Sequence, residues 1–412
     1  MDLLPPGDPV AIARDTVLDL DSTYVSGPFN AVRLEGKVNG IKKVGHFFMD
    51  VHYHQMEQNI CSNIGSTDFA EFFVKIFKSM PKSDRMYDFF VEVYPSYPGN
   101  FSIRKLNDNY VEPDTMHIDK VVRLFSKLFL MERETDTVKK SDVFPNLRLH
   151  YFDVRDYFNN VARDIVFFLM NTASKEIKID SNDTNPTMTP IEKNDLKSSL
   201  QKMLEAIEKI IPVLQNPVKS PKKHPIIRHD FALDEKSALE NVNRLAYKIR
   251  NSYANPNVKG PVVEMFDFGI EGLMQLVRSI ESLIKNIVDD ATDSEIIEQI
   301  EIILERYFWI YASLVDAFFL RRFLDKNYIT NTIVYAGGNH VIRDIYLLVK
   351  FFDFKITHLA YDPKKYGIEK INQLVKKTGS AYKIRELFYD LSKQTGQEAQ
   401  CSRLDSFPKN FL

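Results

Sequence analysis

Short runs of β-branched and aromatic residues alternate with longer runs of helical period along most of this chain, the pattern of an α/β protein. Strands are expected over Asn30 to Lys37, Lys43 to Met49, Tyr87 to Tyr94, Leu147 to Phe152, Thr332 to Ala336 and Lys355 to Leu359. Several are apolar nearly throughout, as in Phe89-Phe90-Val91 and Ile333-Val334-Tyr335. Strands covered on both faces read this way, so the pattern predicts a mostly parallel central sheet flanked by helices. The helices are expected over Phe69 to Ser79, His117 to Leu130, Asp156 to Asn171, Val341 to Phe352, Ile368 to Lys376 and Ile384 to Ser392.

The middle of the chain breaks this alternation. Turn-forming residues crowd Ser181 to Pro190, and a Pro/Lys-rich stretch spans Asn216 to Pro225, both reading as loops. Between and beyond them lie only helical patterns: Ile191 to Leu214, Asp234 to Asn251, Val262 to Val288 and Ser294 to Leu324. Thr292-Asp293-Ser294 before Glu295 offers capping chemistry. The last helix is apolar on nearly every side, with Ile303, Leu304, Phe308, Trp309, Leu314 and Phe318, and should be buried. The organisation expected is an α/β core in two halves, residues 1–180 and 325–412, with an all-helical insertion at 181–324.

Composition narrows the class of function. Fifty-four Lys and Arg face 56 Asp and Glu, a net charge of −2, which gives no field to draw the molecule to nucleic acid or an anionic membrane. The short basic cluster Lys219, Lys222, Lys223, His224 reads as solvated loop charge. Met1 to Val10 lacks the basic and apolar regions of a signal peptide. The apolar stretch Tyr307 to Leu320 contains Asp316 and is shorter than the ~20 residues that span a bilayer. A soluble intracellular protein is expected. Cys61 and Cys401 have no CxxC partner, which points to reduced thiols in a reducing compartment, with Cys61 near His52 or His54 a conceivable nucleophile.

Candidate chemistry gathers where strands end. The stretch Gly45-His46-Phe47-Phe48-Met49-Asp50-Val51-His52-Tyr53-His54 would, while extended, present Asp50, His52 and His54 on one side. Carboxylate and imidazole are the ligands of zinc, manganese or iron, and in open α/β sheets ligands collect beyond the carboxyl ends of the strands. The strand Thr332 to Ala336 runs in the same way into Gly337-Gly338-Asn339-His340. There the glycines permit a sharp turn, Asn339 can serve as an N-cap, and His340 falls in the first helical turn. Glu92 ends Phe89-Phe90-Val91-Glu92, and Asp153, Arg155 and Asp156 follow the strand at Leu147. A buried Glu92 needs a partner, for which Asp316, Arg321 and Arg322 are the nearest candidates, unless they form a structural salt bridge of their own. There is no GxSxG, Walker A, GxGxxG or HExxH motif to support a serine hydrolase, P-loop NTPase, Rossmann enzyme or zincin.

Met49-Asp50-Val51-His52 resembles the G-E-x-H motif, and Gly337-Gly338-Asn339-His340 the later G-x-x-H motif, of the superfamily of TraB-like, TIKI-type and ChaN-like proteins and erythromycin esterases. Met49 stands where that motif has Gly, and Asp50 where it has Glu. The resemblance covers the two ends of the chain. It implies both motifs at strand ends of an α/β core with helices inserted between, and a hydrolase, protease or esterase-like, dependent on a divalent metal, manganese or zinc. His52, His340 and Asp50 would line the site, with Glu92 as the acid ending the next strand. Phe48 to His52, Asp316 to Arg322 and Ile333 to His340 also resemble uncharacterised proteins of giant DNA viruses, which implies a protein made in host cytoplasm or packaged in the virion. Two functions stay open: a metal-dependent hydrolase using Asp50, His52, Glu92 and His340, or a degenerate site on a structural protein whose helical insertion binds a protein or peptide.

Overall fold

The structure is a computed structural model that describes residues 23–51, 66–79, 85–92, 118, 121, 129, 131–132, 137–138, 141–154, 163–174, 188–219, 235–288, 291–389 and 400–408. It divides into two compact units, residues 1–152 with 326–412, and residues 153–325.

The first unit is built on six strands: β2 (Asn30–Val38), β3 (Ile41–Asp50), β5 (Tyr87–Val91), β8 (Leu147–Tyr151), β9 (Asn331–Gly337) and β10 (Lys355–Leu359), in the order β10-β2-β3-β9-β5-β8. The sheet is mixed. β3 with β9, β9 with β5, and β5 with β8 are parallel, whereas β2 is antiparallel to both β3 and β10. The expectation of a mostly parallel sheet overlooked a hairpin. Val38 and Ile41 are paired across Asn39 and Gly40, whose φ angles are 50° and 77°. Asn-Gly adopts that left-handed pair readily, and such a turn returns the chain as the antiparallel neighbour.

One face of the sheet is an aromatic core. Phe69, Phe73 and Phe77 recur every four residues on α1 (Phe69–Ser79) and so share a face. Their rings meet Phe48 at 4.8 Å, Tyr335 at 4.4 Å and Phe89 at 4.7 Å. A small sheet of β1 (Tyr24–Ser26), β4 (Thr67–Asp68) and β11 (Cys401–Arg403) adds Val25 to this core, and Leu404 and Phe407 follow from the C-terminal side. α7 (Gly338–Phe352) packs against β2, β3 and β9, and α8 (Ile368–Lys377) against α7. The fully buried Lys43 donates from Nζ to the carbonyls of Lys326 and Ile329, at 2.9 and 2.6 Å, which satisfies an otherwise costly charge. One further pair of short strands, β6 (Met131–Glu132) and β7 (Thr137–Val138), completes the described strands. Tyr382–Leu387 is a 3-10 turn where a helix from Ile384 was expected.

The second unit is all helical: α2 (Arg163–Ser174), α3 (Pro190–Gln215), α4 (Glu235–Asn251), α5 (Pro256–Val288) and α6 (Asp293–Asp325). It begins at Asp153 rather than at 181, because α2 packs with α3 and α6. Capping boxes start two of these helices: Thr189 with Glu192, and Thr292 with Glu295. α6 is buried on nearly every side in its second half, but Phe308 is 44% exposed, contrary to expectation. Among the described residues no helix is long and apolar enough to cross a membrane. Cys401 is disulfide-bonded, which corrects the expectation of reduced thiols. The chain's other cysteine, Cys61, lies outside the described residues.

Candidate functional site

Three neighbouring parallel strands, β3, β9 and β5, end at one edge of the sheet. Asp50, the last residue of β3, is in register with Gly337, the last of β9, and Val91 of β5 with Tyr335. The backbone N–H of Glu92 extends that ladder by donating to the Tyr335 carbonyl at 3.1 Å. Asp50, Glu92 and the start of α7 are thereby brought together from three distant stretches of sequence.

Glu92 is 4% exposed. Its Oε2 accepts the N–H of Gly337 at 2.6 Å, and its Oε1 lies 3.2 Å from His340 Nε2. The expected N-cap, Asn339, does not cap: α7 begins at Gly338, and the cap residue Gly337 has no side chain to offer. Glu92 instead reaches the cap residue's N–H from the neighbouring strand, as the glutamate of a capping box does from within its own helix. The negative carboxylate also suits the positive end of the helix dipole. Its expected partners, Asp316 and Arg321, lie on α6 in the helical unit, where Arg321 Nη1 donates to the Ser252 carbonyl at 2.9 Å. A local amide and imidazole meet the need of the buried acid.

His340 sits in the first turn of α7, as expected, and is 5% exposed. A neutral imidazole bonded to a carboxylate through Nε2 must carry its proton there, which leaves Nδ1 as the basic nitrogen. Gly338 is needed for close packing, since a Cβ there would come within 2.6 Å of the Phe29 ring.

Asp50, 2% exposed, accepts a hydrogen bond on Oδ1 from the Tyr335 hydroxyl at 3.4 Å. Burial pushes the Tyr335 hydroxyl well above its ordinary pKa, and the Asp50 and Asp68 carboxylates push it further. Tyr335 therefore remains a donor that holds Asp50 in place. In sequence it reads only as filling for an apolar strand, although a tyrosine hydroxyl in such a strand should itself signal a buried polar partner.

His52, His54 and Arg155 lie outside the described residues. Asp153 is buried at 2% exposure just after β8, and Asp316 is fully buried on α6. The divalent ion expected on Asp50, His52 and His340 finds no ligand set among the described residues, which contain no group of three or more His, Cys, Asp or Glu able to hold an ion. Glu92 directs its oxygens to Gly337 and His340, and Asp50 engages Tyr335. The described donors do not by themselves fit a metal.

Another buried acid, on β5 itself, has a different setting. Asp88 is fully buried and accepts from Arg148 Nε and Nη2 at 2.7 and 2.6 Å, with His150 Nε2 also at 2.7 Å.

Residues 23–294 and 287–412 match a family described as a family of unknown function, DUF5847. The chain is 32% identical over 429 residues to the uncharacterized protein R706 of Acanthamoeba polyphaga mimivirus, covering 96% of this chain and 98% of that protein. It is 30% identical over 444 residues to the uncharacterized protein R161 of the same virus, covering 96% of this chain and all of that protein (100%). No solved structure matches. These relatives support the resemblance to giant-virus proteins and give no support to the TraB and TIKI assignment. The chain belongs to the family of unknown function DUF5847.

Proposed function

We propose that the strand-end site is hydrolytic, with Glu92 and His340 acting as a general-base couple and Asp50, held by Tyr335, as the second carboxylate. The observation that carries this reading is the buried Glu92–His340 pair, anchored by the Gly337 amide at the carboxyl end of three parallel strands. Nδ1 of His340 takes a proton from water as the water oxygen bonds to a carbonyl carbon of the substrate, and Glu92 stabilises the imidazolium so formed. The imidazolium returns the proton to the departing alcohol or amine as the scissile bond breaks. Such chemistry suits the esterase or protease type that the sequence motifs resemble. A divalent ion, manganese or zinc, on Asp50, His52 and His340 is part of that resemblance, and no step above depends on it. The viral relatives suggest the host cytoplasm or the virion as its place of action.

The test is a screen of chromogenic esters and capped peptides, with and without manganese or zinc. General acid–base catalysis contributes ~100- to 10,000-fold, so a hydrolysed substrate should be turned over at least about 100-fold more slowly by His340→Gln with its melting temperature kept. Undiminished turnover in that variant contradicts the assignment.

One observation favours a second reading, in which the helical unit docks a protein or peptide. Phe268 is 71% exposed on α5, beside a groove of about 700 Å³ lined also by Val263, Glu264, Asp267 and Glu271. Exposed aromatic surface of this kind is common at interaction sites. Phe268→Ser would then abolish cross-linking to a viral or host protein while leaving hydrolysis unchanged.

A further inference from the structure

Gln400 is 1% exposed, and neither its Oε1 nor its Nε2 has a hydrogen-bond partner. Buried amides are almost always paired, and one left wholly unpaired calls for a physical reason. Its surroundings suggest one. Along the C-terminal segment Gln400, Ser402 and Leu404 are buried, whereas Arg403 is exposed, so alternation directs Gln400 inward with them. Leu404 belongs to the core that holds Tyr335 and Phe48. β11 runs antiparallel to β1, with Cys401 opposite Ser26. Gln400 therefore lies one step nearer the site: its carbonyl accepts the Gly27 N–H at 3.1 Å, and Ser402 Oγ donates to the Pro28 carbonyl at 2.8 Å. The next residue, Phe29, bonds through its N–H to the Met49 carbonyl at 2.8 Å, and its ring lies against Gly338. Gln400 is thus held beside the stretch Gly27 to Phe29, which leads on to the end of β3 and to Gly338.

We propose that Gln400 is the recognition residue of a ligand site at these strand ends, for a ligand that offers an N–H beside a C=O on one edge. A glutamine amide supplies two donors and an acceptor, and pairing both of its ends at once requires that fork. A trans peptide group cannot provide it, because its N–H and C=O point to opposite sides. A primary carboxamide can, and so can the lactam edge of a pyrimidine. The site is assigned from Gln400 alone and does not require the hydrolytic chemistry of Glu92 and His340.

Titration calorimetry on the full chain tests it with two pairs of probes: N-acetyl-glutamine methylamide against its glutamate analogue, and uridine against N3-methyluridine. One intact probe should bind and raise the melting temperature, and that probe identifies the source of the edge. Its altered analogue should bind about tenfold more weakly, as expected for losing this pairing. Gln400→Met should lose the same factor, while His340→Gln should bind as the parent does, separating this site from the hydrolytic proposal. Binding of neither intact probe overturns the inference. So does a glutamate or N3-methyl analogue that binds as well as its parent compound, a readout that stands even if Gln400→Met does not fold. Equal binding by a folded Gln400→Met with a higher melting temperature would show a packing defect instead.

Discussion

Two buried acids, Asp88 on β5 and Glu92 just beyond its end, have partners that differ in kind. Near the start of that strand Asp88 is gripped by both forks of the Arg148 guanidinium, which also donates to the Tyr328 carbonyl at 3.0 Å and lies 4.7 Å from the centre of that ring. His150 adds a third contact while stacking on Phe90 at 4.5 Å. Just past the other end Glu92 has an amide and an imidazole. A guanidinium does not give up its proton in a protein, so Arg148 fastens two strands at Asp88, with the His150 imidazole as an added contact. At Glu92 the partners are an amide and an imidazole, and they lie at the carboxyl ends of parallel strands. Burial of an acid therefore identifies no site; what grips it and where it sits on the sheet do.

The largest effect should come from breaking the fastened end. Arg148→Ala leaves Asp88 buried against His150 alone and should cost about 3–5 kcal/mol in chemical denaturation, whereas replacing both partners, Asp88→Leu with Arg148→Met, should be close to neutral. Glu92→Gln keeps the shape and a hydrogen-bonding group, so its cost should stay near ~1–2 kcal/mol. Equal costs at the two ends would dissolve the distinction. Next, Gly338→Ala forces a methyl group into the Phe29 ring and should destabilise by about 1–3 kcal/mol, the usual range for overpacking.

A third test is acid. Burial lowers the pKa of His46 well below its ordinary value, with Arg33 and His358 adding repulsion, and His358 is lowered as well. Both bind protons more readily when unfolded, so their contribution is complete above ~6.5 and is lost as pH falls below it toward the folded pKa, at up to about 1.4 kcal/mol per pH unit for the buried His46 and less for the more exposed His358. His46→Leu should flatten that slope between pH 6.5 and 5 in urea titrations at ~25 °C. The smallest effect belongs to the helical unit, where Thr189→Ala should cost about 1 kcal/mol by removing the α3 cap.

Much of the fold was legible because strands covered on both faces and long amphipathic helices leave strong local patterns. β10 at Lys355–Leu359 and α1 at Phe69–Ser79 fall where periodicity puts them. β1, β4 and β11, none longer than three residues, are too short for period two to show. The strand direction of β2 is legible in Asn39-Gly40, although the apolar runs on either side of that turn carry no sign of it. In the candidate site, His340 could be read from a glycine turn leading into a helix. Its pairing with Glu92 could not, because it depends on the parallel register that sets Val91 beside Tyr335. Tyr335 and Gln400 went unread for a related reason: a polar atom inside an apolar run acquires meaning only once its neighbours are known.

The central claim is that Glu92 and His340 work as one unit, and a double-mutant cycle on kcat/KM with a substrate from the hydrolysis screen measures it most directly. Groups that act together are strongly non-additive. Glu92→Gln and His340→Gln should each lower kcat/KM by about 100-fold or more, with the double variant hardly worse than His340→Gln alone and all three folded. Losses that multiply independently, or activity that survives His340→Gln, would contradict it.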